Sequence, residues 1–172
     1  MQTLRAKLAA ALVAAMALGA ASSATGQPAA GNLLQGMKPS RSEGVMNAQR
    51  LTDGTAAKEG AFWDTELTSR FPSPGAFVVY DLGSVQPIAA AWLQGDNNDV
   101  YELSLSTDGE HFESLWQAGP QLGAGLRSRE TTGLQGKGRY LRISASGGDG
   151  SYSLSELQVF ATPPQVFPPL LE

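Results

Sequence analysis

Between Leu93 and Phe112 the chain reads "LQGDNNDVYELSLSTDGEHF", with Asp96, Asn97, Asn98 and Asp99 in a row just before an alternating stretch. Carboxylates and carboxamides are planar hydrogen-bonding groups of the kind that pair with sugar hydroxyls, and an aromatic side chain serves the apolar face of a sugar ring. The same residue types start turns, by bonding to their own backbone. An EF-hand is excluded, because the sixth position counted from Asp96 is Tyr101 and that calcium loop needs Gly there. Arg127 and Arg129 are two apart, so on a strand they point the same way and are placed to hydrogen-bond an anionic or hydroxylated ligand, or simply to face water. Asp149 lies in "SGGDGS", followed by Tyr152. Among the aromatics, Trp92 and Trp116 fall inside strands and are expected in the core. Trp63 and Tyr152 lie beside loops, and Tyr152 is the better candidate to face a ligand.

Catalytic readings find little support. A Ser nucleophile needs a base and an orienting partner, and the single histidine, His111, follows the turn Thr107-Asp108-Gly109-Glu110. Asp96 and Asp149 form the one carboxylate pair that a glycosidase mechanism would ask for, without a sign of the apolar pocket that raises an acid's pKa. "GAGLRS" and "GGDGSY" lack the Lys and following helix of a phosphate loop. No catalytic residue is assigned.

Positioning these groups falls to short strands. Phe77–Leu82, Ile88–Leu93, Tyr101–Ser106, Phe112–Gln117, Leu126–Thr131, Arg139–Ser144 and Tyr152–Phe160 are the candidates, separated by Gly, Pro, Asn and Asp. Tyr101, Leu103 and Leu105 alternate with Glu102, Ser104 and Ser106, which predicts one buried and one wet face. Asp108-Gly109 supplies the chemistry of a tight hairpin. Strands at this spacing, with no long helical period, predict an all-β antiparallel sandwich. If successive strands traverse it end to end, the loops 94–100, 118–125 and 145–151 fall at one end, and His111 at the other. Residues 41–75 read as a long folded loop region.

The N-terminus has the layout of a secretory signal: Arg5 and Lys7, an apolar run from Leu8 to Ala21, then small residues. The run is 14 residues long, too short for a membrane span of roughly 20, so cleavage after Ala24 or Gly26 is expected, with no transmembrane segment left. Removing 1–26 takes away two basic residues and no acid. Ten basic residues then face sixteen acidic ones, a net charge of −6. That charge disfavours nucleic acid, which requires a basic face. There is no Cys to form a disulfide, so packing, alone or with a metal, must hold an exported fold together. The expected organisation is a signal peptide at 1–26, one domain at 31–161 and a Pro-rich tail at 162–172.

In order along the chain, "GNLLQG" (31–36), "LTDG" (51–54) ahead of Trp63, "YDLGS" (80–84), "YELSLSTDGEHF", "RYLRIS" and "SELQVF" resemble the discoidin domain, the coagulation factor V/VIII type C domain, over about 31–161. The resemblance implies a jelly-roll sandwich of the galactose-binding-like class and a binding module rather than an enzyme. Bacterial members often take carbohydrate, others lipid or protein. It also implies a structural Ca2+ held by Asp53 and Glu156 with backbone carbonyls such as those of Leu51 and Thr55. The match departs from that pattern at Ala61, where Thr is usual, and in a longer loop before Trp63. The expected function is an exported, non-catalytic module that recognises carbohydrate or another polar cell-envelope ligand, with Asp96, Asn97, Asn98, Asp99, Arg127, Arg129, Asp149 and Tyr152 at the site. The alternative is a structural or adhesive envelope protein that binds a protein partner without sugar. Neither reading sets an oligomeric state.

Overall fold

In a computed structural model of the chain, residues 31–166 are described; the expected signal segment at 1–26 and residues 167–172 of the tail lie outside the described residues. Among the described residues seven strands form: β1 (Arg41–Glu43), β2 (Ser69–Phe71), β3 (Phe77–Asp96), β4 (Asp99–Ser106), β5 (Glu113–Ala118), β6 (Leu126–Gly147) and β7 (Tyr152–Phe160). All pairings are antiparallel. A 3-10 helix, Ala48–Thr52, sits between β1 and β2. The region expected to be loop therefore carries three small regular elements. Among the described residues no helix is long and apolar enough to cross a membrane.

Four of the expected strands merge into two. Phe77–Leu82 and Ile88–Leu93 are halves of β3, and Leu126–Thr131 and Arg139–Ser144 are halves of β6. The two long strands pair with each other from Phe77↔Ser144 to Asp96↔Leu126, with register shifts between Asp81 and Gln86 and between Ile88 and Ala90. Bulges bend a ribbon, and here they fold it over one end of the molecule. The first half of β3 and the second half of β6 join β1, β4 and β5 in one layer, while the other halves join β7 and β2 in the second. Asp81 and Arg139 pin the bend through two hydrogen bonds, Nε to Oδ1 and Nη2 to Oδ2, each 2.8 Å. The result is the antiparallel sandwich predicted from the strand spacing.

Between the layers lies one core, built from Tyr80, Ile88, Leu93, Leu103, Leu141, Ile143, Leu157 and Val159 and closed at the side by Leu34, Leu51 and Phe71. Tyr101, Leu103 and Leu105 point into it as their alternation predicts. The opposite face of β4 is not wet, however: Ser104 and Ser106 are buried. Arg142 lies over the Phe112 ring at 4.5 Å and its Nε donates to Ser104 Oγ at 3.3 Å, so a long cationic side chain roofs the strand with its stem. The Asp108-Gly109 hairpin forms as expected. Asp108 Oδ1 accepts the Glu110 and His111 N–H groups at 2.8 and 2.9 Å, and Gly109 takes φ +84°.

Candidate functional site at the loop end

Folding the β3–β6 ribbon over the far end returns both of its ends to the near one, which gathers the loops. Gln121 N–H donates to Asn97 O at 2.7 Å, and Asp99 pairs with Gly147, so the 97–98, 118–125 and 147–151 segments meet as strand direction predicts. A fourth segment joins them that the sequence did not mark. Gly60 N–H donates to Leu126 O and Leu126 N–H to Ala61 O, at 2.8 and 2.9 Å, while Glu59 accepts the Ser128 N–H at 2.8 Å and faces Arg127. These contacts occupy the free edge of β6, which would otherwise expose unpaired backbone groups. At the opposite end a shallow cavity is lined by Thr107, Asp108, His111, Gln135 and Lys137, which places His111 away from the loops.

The structure divides the expected site residues into two groups. Asn97 and Asn98 are half-buried and Asp149 is exposed, with Asp149 Oδ1 accepting the Ser151 N–H at 2.9 Å. Asp96, Asp99, Arg129 and Tyr152 are buried, at 5%, 0%, 4% and 2% exposure. The two arginines do not act as a pair at the surface: Arg127 is half-buried beside Glu59, and Arg129 turns inward beneath the turn. Arg129 Nε donates to Gly119 O (2.8 Å), Nη1 to Gly95 O and Arg127 O (both 3.0 Å), and Nη2 to Asp96 O (2.6 Å) and, at 3.3 Å, to Asn97 O and Asp99 O. One guanidinium thus satisfies the carbonyls of a turn that sheet pairing leaves open, a task that matches its five fixed donors.

Beneath the same turn, Tyr101 Oη lies 2.9 Å from Asp96 N, 2.9 Å from Asp99 Oδ2 and 2.7 Å from Ser153 O. Burial pushes the Asp96 carboxyl up, opposed by the Asn97 N–H and raised further by Asp149. The run that opened the sequence reading is therefore half scaffold: its two acids anchor the turn from below and its two amides form the surface.

Beside the 147–151 loop is a cavity of about 260 Å³ lined by Met46, Trp63, Arg70, Phe71, Pro72, Gly150, Ser151 and Tyr152. Tyr152 reaches it from a buried position. Trp63 contributes an aromatic wall, with the Phe62 ring tilted against it at 5.7 Å between centroids and Phe62 itself 68% exposed. Arg70 is ion-paired with Asp64. Sequence reading marked Trp63 and Tyr152 by their place next to loops, but Arg70 and Met46 carried no signal. They meet through the Met46–Arg70 bridge, a contact between segments 24 residues apart. Trp92 is buried as expected, and Trp116 is half-buried against the core.

The proposed calcium ligands lie elsewhere, where the 53–55 turn crosses β7. Glu156 is fully buried; Gly54 N–H donates to its Oε2 at 3.2 Å, while Oε1 makes no hydrogen bond of normal geometry. Burial, reinforced by the Asp53 charge, pushes its pKa up to about 8, against partial relief from the Gly54, Gln158 and Thr55 groups. Asp53 accepts the Thr55 N–H at 2.9 Å and pairs with Arg50 at 3.1 Å. Among the described residues no three His, Asp or Glu side chains converge as a metal cluster. A cation here would draw on two carboxylates and on carbonyls, which hard, oxygen-loving ions accept. The buried, orphaned oxygen fits such an ion, since an uncompensated buried carboxylate is costly.

No family model matches the chain, and no curated protein matches it. Solved structures do. A Streptococcus pneumoniae fucose binding module superposes with a TM-score of 0.55 at 13% identity, covering 76% of this chain and 94% of that one. A chitosan-binding module from a chitosanase/glucanase of Paenibacillus sp. IK-5 gives 0.54 at 17%, covering 75% and 98%. SpGH29 gives 0.54 at 15%, covering 77% of this chain but only 28% of a much longer one. What they share with this chain is the fold, the antiparallel β-sandwich described above.

Proposed function

We propose that this chain is an exported, non-catalytic module that binds carbohydrate through its loop end. The observation that carries the reading is the assembly there of half-buried amides, Asn97 and Asn98, with exposed Asp149 and with a cavity walled by Trp63, Tyr152 and Arg70. Planar polar groups beside an aromatic surface suit a ring that is hydroxylated on its edge and apolar on its face. A fucose binding module and a chitosan-binding module share this fold. Export is supported by the signal-like layout of residues 1–26. The absence of catalysis is supported by His111, 86% exposed and paired with Asp108 at the far end, and by the carboxylates of Asp96 and Asp99, which engage the Asn97 N–H and the Tyr101 hydroxyl in the turn.

Calcium belongs to the same proposal: Asp53 and Glu156 would hold it together with carbonyls of the 51–55 segment, and it would neutralise a buried carboxylate and fasten the turn to β7. Its place away from the loop end makes it a structural rather than a recognition element.

A glycan array with the protein from residue 27 onward tests the binding reading. Trp63→Ala should abolish or weaken any hit, and Glu110→Ala, at the far end, should not. An array without hits, combined with capture of an envelope protein lost on removing residues 162–172, would replace carbohydrate by a protein partner. Intact mass of the protein from its native host should give a start between Thr25 and Ala29; retention of Met1 would overturn export.

A further inference from the structure

The hydrogen-bond set around Tyr101 contains one proton too few. Its Oη has three neighbours at bonding distance: Asp96 N, a donor; Ser153 O, an acceptor; and Asp99 Oδ2, an acceptor if ionised. The phenol owns a single proton. If it is given to Ser153 O, the nearer acceptor at 2.7 Å, Asp99 Oδ2 faces Tyr101 Oη with nothing between them. If it is given to Asp99, the buried carbonyl of Ser153 loses it. The other oxygen, Asp99 Oδ1, has no partner at all. It lies where Gly148, at φ +53°, approaches so closely that a Cβ there would collide with it.

The charges facing Asp99 do not rescue an ionised form. From β3 comes Asp96, from the 147–151 loop Asp149, both of the same sign. From β6 comes Arg129, but its hydrogen bonds all go to carbonyl oxygens and none to a carboxylate. β7 offers only the Ser153 carbonyl. A carboxylate at 0% exposure, with one oxygen bare and the other contesting a single proton, is an unsatisfied buried charge.

We propose that Asp99 is held as a neutral carboxylic acid whose proton completes the clasp beneath the loop end, and that losing this proton loosens the loops, so that the end read above as the binding site responds to pH. In the closed form Asp99 Oδ2–H donates to Tyr101 Oη, Tyr101 Oη–H donates to Ser153 O, and Asp96 N–H donates to Tyr101 Oη. Every donor at that oxygen then has an acceptor. The clasp joins the 96–99 turn to the first residues of β7, and Asp99 also pairs with Gly147, so three of the loop-end segments depend on it. Burial pushes the Asp99 pKa up to about 7, the carboxylates of Asp96 and Asp149 add to the rise, and the Tyr101 hydroxyl and Arg129 oppose it. Because the folded value lies above the unfolded one, the proton's contribution is complete below the ordinary carboxylate range. It fades as pH rises and is gone above about 7.

The function of the clasp rests on the binding reading, but its test does not. Carbon-detected NMR titration of the mature protein should show the Asp99 carboxyl changing state near neutral pH, well above the ordinary carboxylate range. A midpoint below pH about 5 would overturn the proposal. Asp99→Asn places a permanent amide donor where the acid proton sits. The melting temperature of the parent protein should fall by roughly 3 °C or more between pH 5 and 8, buried Glu156 adding to the fall in parent and variant alike, and the Asn variant should fall by measurably less than the parent. Parallel pH profiles for parent and variant would overturn it. If the titration and the profiles behave as stated while an array finds no glycan at any pH, the clasp stands and the carbohydrate reading falls.

Discussion

Gly95 lies against the face of Tyr101: a Cβ at position 95 would sit 2.6 Å from ring atom Cε2 and 2.9 Å from Ser153 O. Only a residue without a side chain lets the phenol reach Asp96 N and Ser153 O together. Gly95→Ala should therefore destabilise the protein by about 1–3 kcal/mol, the usual cost of overpacking a close-fitted site. Gly119→Ala, with nothing within 4 Å of its added methyl, is the control and should melt close to the parent. Equal melting of the two variants would show that Tyr101 can move aside.

Arg129→Lys keeps the charge and discards the fork. The guanidinium reaches carbonyls of β3, of the following turn, of β6 and of Gly119, in directions a single ammonium cannot cover. At least one or two of these bonds should be lost, each worth about 1.5–3 kcal/mol when a charged group donates. Chemical denaturation should record the loss, and the loops at 97–98 and 118–121 should exchange their amide protons faster. A variant as stable as the parent would mean that water replaces the guanidinium.

Asn98→Ala and Asp149→Ala each remove a polar group from the loop end without removing a hydrogen bond of the clasp, and Asp149→Ala also takes away a charge that favours the protonated Asp99. Each should weaken glycan binding by about 0.5–1.5 kcal/mol, more where charge takes part, and leave the melting temperature nearly unchanged. Glu110→Ala should bind as the parent does. If Glu110→Ala weakens binding as much as Asn98→Ala, the site is not at this end.

Calcium, if held by Asp53 and Glu156, binds the native state alone and should stabilise it by about 2.7 kcal/mol at a hundredfold excess over Kd. Melting temperature should rise with added calcium in the parent and stay level in Asp53→Ala. Identical parent curves in calcium and in chelator would remove the metal from the proposal.

Period-two alternation, the Asp108-Gly109 turn and the spacing of strand-like runs were enough to define an antiparallel sandwich, because those features depend on residues within a few positions of one another. β7 was legible to its last residue, and so was the gathering of three loops at one end, since strand reversal is set by turn positions. The merging of four runs into β3 and β6 was not legible: the bulged stretches at 82–87 and 133–138 carry the Gly and Pro of a turn, and only pairing along the whole ribbon makes them continuous. The Asp96–Asp99 run shows the division most plainly. Its chemistry, acids and amides at a turn, could be read from the sequence. Which of the four would face water was decided by Arg129 and Tyr101, brought beneath the turn from β6 and β4, and by the carbonyl of Ser153 from β7. Burial is a property of what packs against a residue: Arg129 lies 30 positions from Asp99 in the chain, and Ser153 lies 52 from the Tyr101 that it holds.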